Sequence, residues 1–193
     1  MAIDARPKSS TRILSLNHTT LPCRDPYTAA RFYTAVFNCD VASEEHHNQV
    51  FVGVPICDSV VIDCFGVEGY GQLTVEQTHP HHAFDIAPDD VIWWMERLQY
   101  WQVPFEARAR RGSGSVALYF RDPDGHHLEV TCQHYPDELF DHLPPLDYKQ
   151  GEHRTPMNSA WPPPEREEEA ERQFRTKLEG LRARKQREEA SRR

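Results

Sequence analysis

The chain has 193 residues, 38% of them hydrophobic, which is enough for one domain with a core and an additional segment. Its net charge of −8 offers no basic stripe, so we expect no nucleic-acid partner. The sequence shows no apolar run of about 20 residues and no N-terminal signal peptide with a charged region followed by an apolar one. We therefore expect neither a membrane span nor secretion. The five cysteines are odd in number and lack CxxC spacing, which favours free thiols in a reducing cytoplasm.

The first half of the chain predicts a strand, a helix and three more strands. Residues 1–12 are polar and aperiodic, and we expect a flexible leader. A strand is predicted over 13–21, and Asp25-Pro26 is typical of a helix start, with a capping carboxylate before proline. Apolar residues then recur at helical spacing: Ala29, Phe32, Tyr33, Val36 and Phe37. Further strands are predicted over 40–43, 49–54 and 59–65.

The second half repeats this pattern. Residues 66–78 contain three glycines and predict a linker or a loop over the site. A strand over 81–86 is followed by a helix that begins at Pro88. Its apolar stripe comprises Val91, Trp94, Met95, Leu98 and Trp101. Strands are predicted over 105–111, 116–121 and 127–134. We therefore expect an α+β domain over 13–134 that is built from two copies of a βαβββ module.

The composition changes after His134. Prolines recur through 135–164 and predict an extended arm. Residues 165–193 are highly charged, and their one apolar stripe consists of Ala170, Phe174, Leu178 and Leu181. A helix of this kind cannot bury a core, so we expect a solvated, partly helical or disordered tail that the fold can do without.

The segment 118–130, LYFRDPDGHHLEV, predicts two strands joined by a tight turn. Strand residues alternate between the two faces of a sheet, so Glu129 points away from its apolar neighbours Leu128 and Val130. A carboxylate buried on a core strand needs a partner, and a metal ion is one of the few good ones.

Two histidines lie in other β-prone runs, His18 in 16–21 and His81 in 81–86. Together with Glu129 they offer two imidazoles and a carboxylate on three strands. That ligand set suits Fe(II), which we favour, or Mn, Ni or Zn, with coordination positions left open.

These residues resemble the vicinal oxygen chelate superfamily of glyoxalases, bleomycin-resistance proteins and type I extradiol dioxygenases. The resemblance covers roughly residues 13–133. Its motifs are Asn17-His18, His81-His82-Ala83-Phe84 and the segment from Tyr119 through Gly125 to Glu129. It implies two βαβββ modules whose curved mixed sheet surrounds a divalent metal, with His18, His81 and Glu129 as the ligands.

The resemblance also assigns roles to residues around the metal. Tyr119 is expected to donate a hydrogen bond in the pocket. His127 lies on the same strand face as Glu129 and is a candidate for proton transfer, or else a solvent-exposed turn residue. His126 is expected to point outward. Asp63 is either a fourth ligand, as in glyoxalase I, or a group that orients a ligand histidine.

Three further residues are candidates for substrate binding. Thr20 and Ser113 match fosfomycin-type enzymes, although Ala109 stands where those enzymes have a lysine. Arg110 shares a strand face with Arg108, and an inward arginine would suit an anionic substrate. The alternative for both arginines, which we favour, is a solvated surface.

The leading functional hypothesis is an Fe(II)-type enzyme resembling extradiol dioxygenases, acting on a small substrate that chelates the metal through adjacent oxygens. The sequence has no histidine close to Arg110 or near Gly66, where catechol-cleaving members of the family have one. This difference argues against classical catechol cleavage. The alternatives are a glyoxalase-like lyase or isomerase, a thiol transferase, and a metal-free binding protein of the bleomycin-resistance type. We also expect a homodimer, because exposed sheet edges are usually covered. The resemblance implies that the two chains can share each metal site, in which case His18 of one chain meets His81 and Glu129 of the other.

Overall fold

The computed structural model describes residues 18–45, 49–53, 61–71, 73, 81–144, 155, 158 and 160–192. The first module contains β1 (His18–Cys23), α1 (Pro26–Val36), β2 (Asp40–Glu45), β3 (Gln49–Gly53) and β4 (Val61–Gly66). Its strands form one sheet in the order β1-β4-β3-β2, in which β1 runs parallel to β4 and the other pairs are antiparallel. Of the first predicted strand, residues 13–17 lie outside the described residues.

The second module has the same topology. It contains β5 (His81–Asp85), α2 (Asp90–Tyr100), β6 (Phe105–Arg110), β7 (Ser115–Arg121) and β8 (His127–Cys132). The strand order is β5-β8-β7-β6, with β5 parallel to β8. The prediction of an α+β fold with two βαβββ modules is therefore confirmed, with one four-stranded sheet per module.

The helix α1 begins where the sequence predicts. The carboxylate of Asp25 accepts hydrogen bonds from the backbone N–H groups of Tyr27 at 3.1 Å and Thr28 at 3.0 Å. These bonds satisfy two of the amide donors that the first helical turn leaves without an intrahelical partner. Pro26 occupies the first helical position, where no donor is needed.

Aromatic residues join the two modules into one core. The ring of Phe37 contacts Phe84, Trp94 and Phe120 of the second module, with centroid distances of 5.3, 5.2 and 5.8 Å. The hydroxyl of Tyr33 donates to Asp122 across the same boundary at 2.9 Å. The end of the first helix thus packs on the apolar face of the second sheet, and the opposite face is left for polar residues.

The C-terminal segment is helical, as the prediction of a partly helical tail allows, but the helix packs on the domain and is not a solvated tail. Residues Glu167–Ser191 form α3, which packs on α1 and β2. Its apolar stripe is buried: Ala170, Phe174, Leu178 and Leu181. The ring of Phe174 meets Tyr27 edge-on, with centroids 6.2 Å apart.

A lysine of α3 connects this helix to the first module by hydrogen bonds. The ammonium of Lys177 donates to the carbonyl oxygens of Asn38 at 3.0 Å and Cys39 at 2.7 Å, just beyond the end of α1. A cation at this position satisfies carbonyl groups and complements the helix dipole. The helix is therefore part of the domain surface. None of the helices in the described part of the chain is long and apolar enough to cross a membrane.

Candidate active site

The strand register gathers the predicted site residues of the second module on one face of its sheet. His81 on β5 is the cross-strand neighbour of His127 on β8, and Glu129 on β8 is opposite Tyr119 on β7. Residues directly opposite each other on neighbouring strands share a face, and so do residues two apart on one strand. Four of the predicted side chains therefore meet on the face that points away from the aromatic core.

The central contact joins His81 and Glu129. Nε2 of His81 lies 2.8 Å from Oε2 of Glu129. The side chain of Glu129 is 8% exposed and that of His81 is 36% exposed, so the pair lies at the edge of a partly open surface. An imidazole nitrogen and a carboxylate oxygen that converge in this way are a donor set that first-row divalent metals accept. These two residues fit two of the three expected ligand positions.

Tyr119 lies beside this pair, and its ring centroid is 5.9 Å from that of His81. Burial, followed by the charge of Glu129 and a hydrogen bond to it, raises the pKa of Tyr119 to about 12. The hydroxyl therefore stays protonated at neutral pH and can donate a hydrogen bond. The structure thus brings Tyr119 together with His81 and Glu129.

His127 is buried, so the alternative of an exposed turn residue is wrong. Its ring centroid lies 5.3 Å from that of His81 and 5.6 Å from that of Tyr119. Its Nε2 is 3.0 Å from the hydroxyl of Thr155, a residue of the proline-rich arm. Nothing in the sequence pattern indicated this contact.

The prediction that His126 points outward is also wrong. His126 is buried, and its Nδ1 lies 2.8 Å from Oδ2 of Asp122. The other carboxylate oxygen of Asp122 accepts from the backbone N–H groups of Asp124 at 3.0 Å and His126 at 2.8 Å. The imidazole therefore helps to hold the tight turn that precedes β8.

His18 lies on the other sheet. It is exposed on β1, and Thr20 shares its strand face. The hydroxyl of Thr20 donates to Oδ2 of the buried Asp63 at 3.1 Å, and the two residues are cross-strand neighbours on the same face of the first sheet. Among the described residues no group of three or more His, Cys, Asp or Glu side chains is arranged to hold a metal ion. Within one chain, therefore, neither His18 nor Asp63 joins the pair of His81 and Glu129.

The other two predicted substrate-binding residues lie at the β6–β7 connection. Arg110 ends β6 and is exposed, and its positive charge opposes the rise in the pKa of Tyr119. Ser113 lies in a 3₁₀ turn over Arg111–Ser113 and is exposed. Its hydroxyl lies 3.0 Å from that of Ser115. Both residues are at the rim of the polar face rather than beside Glu129.

The sequence did not single out the pair of Glu106 and Arg108. The expectation of a solvated Arg108 is wrong, because this residue is only 7% exposed. Its Nε and Nη2 both lie 2.8 Å from Oε1 of Glu106, and its guanidinium carbon is 5.6 Å from the ring centroid of Tyr119. The available signal was the FEARAR alternation of β6, which puts both residues on the face of Tyr119.

Comparison with known proteins finds relatives in sequence and in structure. The chain is 26% identical over 137 residues to the metallothiol transferase FosB of Bacillus licheniformis, covering 69% of this chain and 82% of that protein. The structure of the oxidase ChaP-H2 matches with a TM-score of 0.50 at 25% identity, covering 64% of this chain and 97% of that one.

A third relative shares the fold. A variant of the fosfomycin resistance protein FosX of Listeria monocytogenes, complexed with Mn(II) and 1S,2S-dihydroxypropylphosphonic acid, matches with a TM-score of 0.52. The identity is 23%, covering 68% of this chain and all of that one (100%). A family model described as the Glyoxalase/Bleomycin resistance protein/Dioxygenase superfamily matches residues 15–130. The chain therefore belongs to the Glyoxalase/Bleomycin resistance protein/Dioxygenase superfamily.

Proposed function

We propose that this protein is a divalent-metal-dependent enzyme acting on a small substrate that binds the ion through adjacent oxygen atoms. In this proposal His81 and Glu129 hold the ion from one chain, and His18 of a second copy completes the set. The observation that carries the proposal is the 2.8 Å approach of His81 Nε2 to Glu129 Oε2 on the polar face of the second sheet.

The neighbouring side chains have separate tasks in this proposal. The bound ion would supply Lewis-acid activation of the substrate oxygens. Tyr119 keeps its proton and donates a hydrogen bond to an oxygen that gains negative charge during the reaction. Arg108 supports the Tyr119 ring, since Glu106 holds its guanidinium in place. Thr20, Arg110 and Ser113 contact the outer part of the substrate.

The dimer part of the proposal follows from the exposure of each module's polar residues. His18 and Thr20 are exposed on β1, and His81, Ala83 and Asp85 are exposed on β5. In this proposal the first module offers one ligand, His18, and the second module offers two, His81 and Glu129. A homodimer in which the first module of one chain faces the second module of the other would cover both surfaces and complete two sites.

The leading reaction class is oxidation with Fe(II). Three protein ligands leave coordination positions for both substrate and oxygen. The likeness to the oxidase ChaP-H2 supports this class. Thiol transfer is the second candidate, and the sequence identity with the metallothiol transferase FosB supports it.

Metal content tests the site. The full-length chain is expected to bind one Mn(II) or Fe(II) ion per chain, measured by elemental analysis after removal of excess metal. His81→Ala and Glu129→Gln should each lose this binding, because either change removes one of only three protein ligands. His82→Ala is the matched control, since His82 lies on the opposite face of the same strand. Full metal content in the His81→Ala protein would refute the assignment.

Two assays separate the reaction classes. The anaerobically Fe(II)-loaded protein is mixed with a panel of catechols and oxygen uptake is recorded. The Mn(II)-loaded protein is mixed with an epoxide phosphonate and a low-molecular-weight thiol, and the thiol adduct is sought by mass spectrometry. Oxygen uptake that Glu129→Gln abolishes supports oxidation, whereas adduct formation without oxygen uptake supports thiol transfer.

A further inference from the structure

Thr155, one of the described residues of the proline-rich arm, contacts the candidate active site. This residue is 1% exposed and lies outside residues 15–130, the part of the chain that the family model matches. Its hydroxyl is 3.0 Å from Nε2 of His127, which is itself 4% exposed. A buried hydrogen bond of this kind is costly to lose, because the partner left behind has no access to water.

Thr155 is attached at two points to one cross-strand pair. His127 on β8 and Arg121 on β7 are direct neighbours in the strand register. The Thr155 carbonyl accepts a hydrogen bond from Nε of Arg121 at 3.2 Å, while its hydroxyl meets His127. Because both polar groups of one residue are used, Thr155 has a fixed position relative to the His127 ring.

Other contacts hold the arm in place independently of this hydroxyl. Asn158 donates from Nδ2 to the Arg121 carbonyl at 3.1 Å. Trp161 is buried, and its ring meets Phe32 edge-on at 5.1 Å and Trp101 at 6.3 Å between centroids. The backbone of Thr155 is further restricted because it precedes a proline. Removing the hydroxyl alone should therefore leave the arm docked.

We propose that Thr155 is a positioning residue of the candidate active site, which fixes the ring orientation of His127 beside His81 and Tyr119. A ring nitrogen engaged by Thr155 is not available to a substrate or an ion. Thr155 thereby decides which edge of the His127 ring faces the polar surface. Histidines in such sites are commonly held in one orientation by a hydrogen bond from a neighbouring residue.

This inference rests on the proposed function, because it assigns Thr155 to the site built around His81 and Glu129. It is tested on the full-length chain labelled with ¹⁵N-histidine and ¹⁵N-tryptophan, using long-range ¹H–¹⁵N correlations that report the hydrogen bonding and environment of each His127 ring nitrogen. The His127 signals are assigned by their loss in His127→Gln. Thr155→Val removes the hydroxyl at nearly constant shape, and Thr155→Ser retains it.

The expected result is a change in the relative ¹⁵N shifts of the two His127 nitrogens in Thr155→Val and wild-type shifts in Thr155→Ser. The Trp161 indole signal, unchanged in both variants, shows that the arm is docked. Asn158→Ala is the control for arm attachment and should keep the wild-type His127 signals. Wild-type His127 shifts in Thr155→Val, or the same shift change in Asn158→Ala, would overturn the inference. Failure of the proposed function would appear separately, as a wild-type chain that binds no Mn(II).

Discussion

The direction of the Glu129 side chain can be predicted from the sequence once its strand is recognised. The alternation of side chains on β8 predicts that Glu129 faces away from Leu128 and Val130, and both apolar neighbours are fully buried in the core. The pairing of β5 with β8 brings His81 to Glu129. The sequence motif predicts His81, and not its neighbour His82, as the ligand candidate. Because Arg108 and Arg110 share one strand face, alternation alone does not tell which of them is buried.

His126 predicts a pH dependence of stability. Burial lowers the pKa of this histidine, but the hydrogen bond and charge of Asp122 outweigh it and the net pKa is raised. A raised folded-state pKa stabilises the protein fully below the ordinary value of about 6.5, and this stabilisation is lost as the pH rises through the folded-state pKa. The melting temperature of the wild type should therefore fall over this range relative to that of His126→Gln.

The measurement is a series of thermal melts from acidic to mildly alkaline pH. His142→Gln is the matched control, because His142 is exposed, and its curve should run parallel to that of the wild type. If His126→Gln also runs parallel to the wild type, the imidazole does not brace the turn as described.

At the scale of secondary-structure elements, the composition of α3 predicts a solvated helix, whereas the structure shows a packed one. The segment is rich in charge and its apolar stripe has only four residues, which is typical of a solvated helix. Those four residues are nevertheless buried, because α1 offers an apolar surface and Lys177 reaches the carbonyl groups beyond its end. The periodicity of α3 shows which of its residues are apolar but does not show what they pack on. The residues that α3 contacts lie about 140 positions earlier in the sequence.

The packing of α3 predicts that the tail stabilises the domain. Phe174→Ala removes a buried ring and should lower the free energy of unfolding by about 3 kcal/mol, as measured by urea denaturation. Lys185→Ala, on the exposed face of the same helix, should change it by less than about 0.5 kcal/mol. Equal stability of the two variants would mean that the helix contributes nothing to the fold. A chain that ends at Pro164 should for the same reason be less stable than the full-length chain.

The sequence predicts the modules, most strand positions and the proximity of His81 and Glu129, because these depend on local periodicity and on one motif. It does not predict the contact between Thr155 and His127, since a proline-rich arm has no period from which a docking position can be read. The same holds for the bracing of the turn by His126, which depends on the rotamer of one side chain. Neither of these two contacts has a periodic signal in the sequence, because at least one partner lies outside the helices and strands.

At the scale of the whole molecule, the two modules share a core but present their polar residues on separate surfaces. His18 stays on the first sheet while His81 and Glu129 meet on the second. A second copy of the chain would complete the ligand set, and metal binding would then stabilise the dimer because the ion binds only the assembled state.

Complementation between two inactive variants tests this central claim most directly. His18→Ala and Glu129→Ala proteins, each expected to bind no metal, are mixed in equal amounts, partly unfolded and refolded to exchange chains, and assayed for Mn(II) content. A heterodimer of these chains contains one site with all three ligands and one with neither His18 nor Glu129. Random exchange therefore predicts about one quarter of the wild-type metal content per chain. Mixed protein that binds no more Mn(II) than the separate variants, while running as a dimer, would contradict a site shared between chains.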